Sequence, residues 1–229
     1  MTTWKRQFAV LWLGQAVSIL TSSISQYALI WDLTARTGSA AVLSLASMAA
    51  LLPQGVFSLF TGAVADRFDR RKIMALADGA IGLVSLALVA GGLLLGELPI
   101  PVIMAALALR SVGSAFHAPC LQAVTPLIVP RERLSQCAGW SQGVQTLSLL
   151  LSPALAAVLF AAVPLSLIIA LDALGAAFAI SFLILARLPT LRTGEERAPF
   201  RLLDDCRAGY ALLRSQGWLW QLCLICGIF

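Results

Sequence analysis

The sequence predicts an all-α integral membrane protein in which six helices form one bundle. Three observations predict this fold class. Of the 229 residues, 59% are hydrophobic and only 12% are charged, whereas a soluble domain has roughly 25% charged residues. The uncharged runs are long enough to cross a bilayer, and Lys and Arg cluster between them in alternate loops. This composition disfavours a soluble enzyme or a nucleic-acid-binding domain, despite the net charge of +5.

Six transmembrane helices follow from the lengths of the apolar runs, because a helix needs about 20 mostly apolar residues to cross a bilayer. The first two runs carry no charge, and the next two carry one charge each, Asp78 and Arg110. The run 134–186 is long enough for two helices, and we expect the break at Pro164, since proline is tolerated at a helix start. The predicted spans are 8–32, 40–64, 72–95, 101–126, 138–161 and 165–186.

The positions of the basic residues predict the orientation of the bundle. With the N-terminus inside, fourteen of the sixteen Lys and Arg residues lie in inner segments, and only Arg36 lies in an outer loop. This is the positive-inside bias of membrane proteins. We expect a six-helix bundle over 1–186, a cytoplasmic linker over 187–217, and the truncated start of a seventh helix over 218–229. Apolar residues at helical spacing in the linker predict an amphipathic surface helix; a solvated tether is the alternative.

Polar side chains form stripes on several spans. Small hydroxyls in membrane helices mostly serve helix packing. A glutamine amide, however, has four hydrogen-bonding sites to satisfy, so Gln15, Gln54 and Gln145 favour a wet cavity on which the stripes converge.

Arg110 is the most informative single residue, because a cation at mid-bilayer costs about 2.5–3.5 kcal/mol on insertion scales and must face protein or water. At 1.5 Å per residue it lies roughly 13 Å, and Asp172 roughly 10 Å, from the outer end of its helix. The two residues could therefore pair. A structural arginine that bonds backbone carbonyls is the alternative to one that lines a cavity. We interpret Asp78 as structural.

Two further groups could carry protons. Asp32 lies near the outer end of the first span, where interfacial solvation also explains it. His117 is the only histidine, so it makes no metal site by itself, and it either packs in the core or binds a substrate or proton. We expect no metal and no cofactor.

Missing motifs argue against an enzyme. The sequence has no G-x-x-x-x-G-K-[ST] phosphate loop and no histidine–glutamate metal motif, so this chain alone does not hydrolyse ATP. An intramembrane enzyme stays as the alternative from a different class.

The loop between the second and third spans carries a longer motif. It reads GAVADRFDRRK over residues 62–72. Gly62 should allow close helix approach, and Asp69 should cap the third helix. The string resembles the G-x-x-x-D-R-x-G-R-R-K loop motif of the major facilitator superfamily, with Asp69 in place of the second glycine.

Other segments are similar to the same superfamily. Residues 110–119, RSVGSAFHAP, resemble the fourth-helix motif of its proton-coupled antiporters, although the glycine follows Arg110 by three residues rather than four. Within the superfamily the likeness is greatest to the macrolide-efflux type of bacterial exporter. WLGQAVS at 12–18 and TGSA at 37–40 carry it, and it extends over essentially the whole chain.

The resemblance implies the N-terminal half of a twelve-helix transporter, built from two inverted three-helix repeats, in a bacterial inner membrane. It implies export of hydrophobic drugs such as macrolides in exchange for protons, with the proton gradient as the energy source. The implied partners are a hydrophobic small-molecule substrate, protons, the lipid bilayer and a missing C-terminal six-helix half, with no nucleic acid. A siderophore or other metabolite exporter is the alternative, and a non-transporting scaffold or intramembrane enzyme is a more distant one.

The resemblance also implies roles for particular residues. A gating contact with the second half would involve Gly62, Asp66, Arg67, Asp69, Arg70, Arg71 and Lys72. The candidates for lining a substrate path or coupling protons are Gln15, Gln26, Asp32, Gln54, Arg110, Gly113, His117 and Gln145. Spans one, two, four and five are expected to line the path while three and six face lipid, an arrangement that Asp172 does not fit.

Overall fold

Six long helices account for nearly all of the chain that the computed structural model describes, which is residues 3–186 and Gly217. The helices are α1 (Thr3–Thr37), α2 (Ala40–Arg67), α3 (Arg70–Leu95), α4 (Ile100–Ile128), α5 (Leu134–Ala162) and α6 (Leu165–Leu185), with a 3₁₀ turn at Arg131–Arg133. All six helices are long and apolar enough to cross a membrane, as the sequence predicted. The linker predicted over 187–217 and the seventh helix predicted from 218 lie outside the described residues, apart from Gly217.

Local sequence signals set several helix ends. Gly38 and Gly96 have φ angles of 60° and 77°, a left-handed conformation that glycine adopts without strain, and they turn the chain after α1 and α3. Pro99 and Pro164 directly precede α4 and α6, where the missing N–H of proline removes no helical hydrogen bond. The break predicted at Pro164 is confirmed.

The helices pair in a pattern that repeats within the bundle. α1 packs against α5 and α6, α4 packs against α2 and α3, and α3 packs against α6. Exchanging the first three helices with the last three turns the contacts of α1 into those of α4 and leaves the α3–α6 contact unchanged. This is the pattern expected of two related three-helix repeats.

α6 approaches α1 and α3 closely because small residues lie at the crossings. A Cβ added to Gly175 would lie 2.1 Å from Oγ1 of Thr21, and one added to Gly82 would lie 3.1 Å from Cβ of Ala176. Small residues at such crossings let membrane helices pack backbone to backbone. The buried face of α6 is therefore fixed against α1 and α3.

A polar layer separates the two larger apolar clusters of the bundle. One cluster includes Leu11, Met74, Cys120, Val124 and Leu183, and the other includes Leu29, Leu33, Ile103, Leu107 and Ile169. Between them lie the buried side chains of Ser18, Asp78, Arg110 and Asp172. We call the end with the α2–α3 loop and the turn Arg131–Arg133 the basic end, and the end with Gly38 and Gly96 the opposite end.

Candidate functional site in a polar cavity

A cavity of about 240 Å³ lies in the polar layer, with a lining from α1, α2, α3, α4 and α5. Its polar lining residues are Ser18, Ser22, Ser23, Gln26, Gln54, Asp78, Arg110, Ser114, His117 and Gln145. This lining includes five of the eight residues that the sequence named as candidates for lining a path or coupling protons. The fold thus brings polar side chains of five helices to one cavity.

Arg110 forms a buried ion pair with Asp172 beside this cavity. Its Nη1 donates to Oδ2 of Asp172 and, at 2.6 Å, to Oγ of Ser85. Its Nη2 donates to the backbone carbonyl of Ser22 at 3.1 Å. Arg110 is 3% exposed and Asp172 is fully buried. The ion pair between Arg110 and Asp172, which their similar depths in the membrane allowed, is therefore present. Because both side chains are buried away from water, each charge is compensated by the other.

Both oxygens of Asp172 are satisfied by neighbouring helices. Oγ of Ser22 in α1 donates to Oδ1, and Oγ of Ser85 in α3 donates to Oδ2, each at 2.5 Å. The expectation that α6 faces lipid holds for one side of the helix, where Leu174 is exposed. Its other side is buried against α1 and α3, and Asp172 lies on that side.

A second polar group surrounds His117 on the basic-end side of the cavity. Nε2 of His117 lies 2.6 Å from Oε1 of Gln15 and 3.6 Å from Oδ2 of Asp78. Oγ of Ser18 donates to Oδ1 of Asp78 at 3.4 Å. All four side chains are buried. This group joins α1, α3 and α4, and it places Gln15 behind the cavity lining rather than on it.

Two of the candidates lie away from the cavity. Asp32 pairs with Arg36 at 2.8 Å, and Nη1 of Arg36 donates to the carbonyl of Leu98 at 3.0 Å, at the opposite end of the bundle. Gly113 faces α3, where an added Cβ would lie 2.9 Å from Cγ1 of Ile81. A close helix contact therefore accounts for glycine at position 113.

A second cavity, of about 320 Å³, lies between α4 and α5 toward the basic end. Leu121 and Gln145 line both cavities. Gln122, Thr125 and Gln142 continue the polar lining. A partly polar track thus leads from the mid-bundle cavity toward the basic end.

Asp69 and Arg70 of the α2–α3 loop motif make hydrogen bonds at helix ends. The carboxylate of Asp69 accepts a hydrogen bond from the backbone N–H of Arg71 at 3.0 Å, which confirms its predicted role as the N-cap of α3. Nε of Arg70 donates to the carbonyl of Ala65 at 3.2 Å, and Nη1 donates to the carbonyl of Ala123 at 2.9 Å. Arg70 therefore joins the ends of α2 and α4.

No atom outside the local backbone lies within 4 Å of a Cβ built on Gly62, so the predicted close helix approach there is wrong within the described part of the chain. The side chains of Asp66 and Arg67 lie outside the described residues. Lys72 lies at the end of an apolar groove of about 760 Å³ between α2, α3 and α4.

The sequence did not predict the full surroundings of two acids. It interpreted Asp78 as structural and allowed Asp172 to pair with Arg110, and the structure places both in the polar layer. One signal could have found Asp78: it lies seven residues before Ser85, which puts both on one face of α3. An isolated acid in an otherwise uncharged span also needs a partner inside the protein.

The fold and the cavity define a class of protein: a multi-pass helical membrane protein with a polar site inside the bundle. A family model described as Major Facilitator Superfamily matches residues 11–229. The chain belongs to this superfamily, as the loop motif indicated.

The chain is also similar to individual transport proteins. The chain is 43% identical to macrolide efflux protein A of Streptococcus pyogenes over 222 residues, which is 97% of this chain and 55% of that protein. It is 41% identical to macrolide efflux protein A of Enterococcus faecalis over 188 residues, 82% of this chain and 58% of that protein. A staphyloferrin A transporter of Staphylococcus aureus is 25% identical over 138 residues, 60% of this chain and 35% of that protein. The chain spans little more than half the length of the macrolide efflux proteins it matches.

Proposed function

We propose that this chain is the N-terminal six-helix half of a secondary transporter that exports hydrophobic drugs such as macrolides in exchange for protons, by alternating access. The observation that carries the proposal is the polar cavity of about 240 Å³ held between two apolar clusters of a membrane bundle. Superfamily transporters bind substrate near the midplane, between their two halves. The names of the macrolide efflux relatives support the substrate class.

The sizes of the cavities support a half-site. Ligand sites for drug-sized molecules have volumes of about 300–1,000 Å³. The two cavities, with about 240 and 320 Å³, lie just below and just above the lower end of this range, so each is small for such a ligand. A second six-helix half that covers α2 and α5 would enclose and enlarge this space. The exposed apolar side chains of those helices, such as Leu59 and Leu150, leave a surface for such a partner.

The basic end faces the cytoplasm in this proposal, within a bacterial inner membrane. Lys and Arg are retained on the cytoplasmic side of membrane proteins, and the loop motif and the turn Arg131–Arg133 both lie at this end. The partly polar track then connects the cavity to the cytoplasm, which is the direction from which a drug would be taken up. The loop of residues 62–72 would make the gating contact with the second half.

Two residues were candidates for coupling to protons. His117 lines the cavity, whereas Asp32 is held by Arg36 at the opposite end. His117 is therefore the better candidate. Export of a siderophore or another metabolite is the second proposal, and the similarity to the staphyloferrin A transporter favours it. A scaffold or an intramembrane enzyme gains no support from the cavity.

The test is uptake of the macrolide erythromycin by everted membrane vesicles that contain the full-length protein. We expect uptake driven by an imposed proton gradient and abolished by a protonophore. Uptake that persists with the protonophore would contradict proton coupling, and uptake of staphyloferrin A without uptake of erythromycin would favour the second proposal. Gln145→Ala should reduce uptake because Gln145 lines both cavities. Ser181→Ala, at an exposed residue of α6 that lines neither cavity, is the control.

A further inference from the structure

The two buried acids of the polar layer differ in how completely they are satisfied. Asp172 accepts hydrogen bonds from Ser22, Ser85 and Arg110. Asp78 has one long hydrogen bond, from Ser18 at 3.4 Å, and its Oδ2 is buried without a hydrogen-bond partner. A buried carboxylate with an unpartnered oxygen is costly. Asp172, whose oxygens are both satisfied, thus fits a structural role. The carboxylate of Asp78 would be stabilised by a nearby positive charge or by binding a proton.

The nearest group that can supply one is the imidazole of His117. An amide oxygen only accepts hydrogen bonds, so Nε2 of His117, 2.6 Å from Oε1 of Gln15, carries the hydrogen. Nδ1 is then the nitrogen left to take a second proton. Once it does so, a positive imidazolium lies 3.6 Å from Oδ2 of Asp78. The contact with Gln15 thus determines which nitrogen of neutral His117 carries the hydrogen. The carboxylate of Asp78 compensates the positive charge of protonated His117.

We propose that Asp78 and His117 together form the site that holds the coupling proton. This inference rests on the proposed function, because it identifies where the exchanged proton resides. Both residues line the mid-bundle cavity, so water in the cavity can deliver and remove the proton. One proton binds from the side of higher proton concentration and leaves to the other side, and no other bond is made or broken.

The charges around the site support this assignment. Among the described residues that line the cavity, the charged or titratable ones are Asp78, His117 and Arg110. Arg110 is neutralised by Asp172 of α6. α1, α2 and α5 contribute no charged group to the lining, and their polar groups include Ser18, Gln54 and Gln145. With a neutral His117 the cavity therefore carries one uncompensated negative charge, which one bound proton removes.

The geometry also indicates how binding of the proton could change the contacts between helices. Gln15 and Ser18 both belong to α1, and they contact His117 of α4 and Asp78 of α3. Loss of the proton removes the attraction between the imidazole and the carboxylate. The contacts that α1 makes to both helices then change together, at the level of the cavity.

The experiment uses the full-length transporter, purified in detergent and reconstituted in liposomes. Proton release on addition of erythromycin is measured with a pH indicator, and transport is measured both with a proton gradient and as erythromycin counterflow without one. We expect Asp78→Asn and His117→Gln to lose proton release and gradient-driven transport while they keep counterflow. Asp78→Glu should restore release. Glu97→Gln, at an exposed acid in the α3–α4 loop, is the matched control.

The outcomes separate the two proposals. If the unmodified protein transports erythromycin without releasing protons, proton antiport itself is wrong. If the unmodified protein releases protons and Asp78→Asn still does so to the same extent, the assignment to Asp78 and His117 is wrong. If folded Asp78→Asn loses erythromycin binding and counterflow as well, Asp78 binds substrate or is structural, and the assignment again fails. His117→Gln provides an independent test if Asp78→Asn does not fold.

Discussion

Arg110 of α4 and Asp172 of α6 form an ion pair across the middle of the bundle, although their helices are not packing neighbours. α1 and α3 lie between them and contribute Ser22 and Ser85, whose hydroxyls donate to the same carboxylate at 2.5 Å. Four helices therefore meet at one carboxylate. Because polar contacts in a low-dielectric interior strengthen one another, such a group can fix the relative positions of its helices.

Removing one member of the ion pair should destabilise the protein strongly. Asp172→Asn leaves the guanidinium of Arg110 buried without a counter-charge, and Arg110→Gln leaves the carboxylate without one. Breaking a buried pair in this way costs about 3–5 kcal/mol. We expect both variants to unfold at lower temperature than the unmodified protein, measured by thermal unfolding of the purified protein in detergent.

The double variant Arg110→Met with Asp172→Leu tests whether the destabilisation comes from leaving one buried charge unpaired or from losing the packing of the two side chains. Apolar residues of similar volume often replace a buried ion pair without loss of stability. We expect the double variant to be more stable than either single charge-removing variant. If Asp172→Asn unfolds at the same temperature as the unmodified protein, the ion pair contributes little to the stability of the fold.

The sequence predicted the helices well because the length of an apolar run and the charges at its ends fix where a span begins and ends. Proline and glycine sharpened the boundaries, as at Pro164 and Gly96. Asp69 was recognised as a helix cap because capping depends only on nearby residues. These features are local, so they can be predicted from one sequence.

The arrangement of the polar layer was harder to predict, because it depends on how each helix is rotated in the bundle. α6 is apolar on nearly all sides, so its sequence does not indicate that Asp172 faces inward. Gly113 was assigned to the path from a motif, but its position is explained by contact with Ile81. Asp78 gained significance only when the structure brought His117 within 3.6 Å.

Gly175 should not tolerate even a methyl group. A Cβ at this position would lie 2.1 Å from Oγ1 and 3.1 Å from Cβ of Thr21, so α6 would have to move away from α1. Overpacking of this kind costs about 1–3 kcal/mol. We expect Gly175→Ala to lower the unfolding temperature. Gly79→Ala is the control, because its added Cβ would lie at an ordinary 3.8 Å from Ile180; equal stability of the two variants would contradict the close crossing.

Asp69 should stabilise the start of α3 through its side chain. Its carboxylate accepts the hydrogen bond from the N–H of Arg71. Replacing a capping aspartate by alanine costs about 1 kcal/mol, whereas replacing it by glycine costs only a few tenths of a kcal/mol. We therefore expect Asp69→Ala to be less stable than Asp69→Gly, which restores the glycine of the superfamily motif. Thermal unfolding of the two variants side by side measures this, and the reverse order would contradict a capping role.

Arg70 should be irreplaceable by lysine, because its guanidinium bonds two helix ends at once. Nε reaches the carbonyl of Ala65 at the end of α2, and Nη1 reaches the carbonyl of Ala123 near the end of α4. A lysine keeps the charge but has a single nitrogen, which cannot occupy both positions. A hydrogen bond from a charged group contributes about 1.5–3 kcal/mol, so Arg70→Lys should lose roughly that amount in thermal unfolding. Lys72→Ala, which removes an exposed positive charge two residues away, is the control and should change stability little. If Lys72→Ala lost as much stability as Arg70→Lys, the positive charge of the loop would matter more than the hydrogen bonds of Arg70 to α2 and α4.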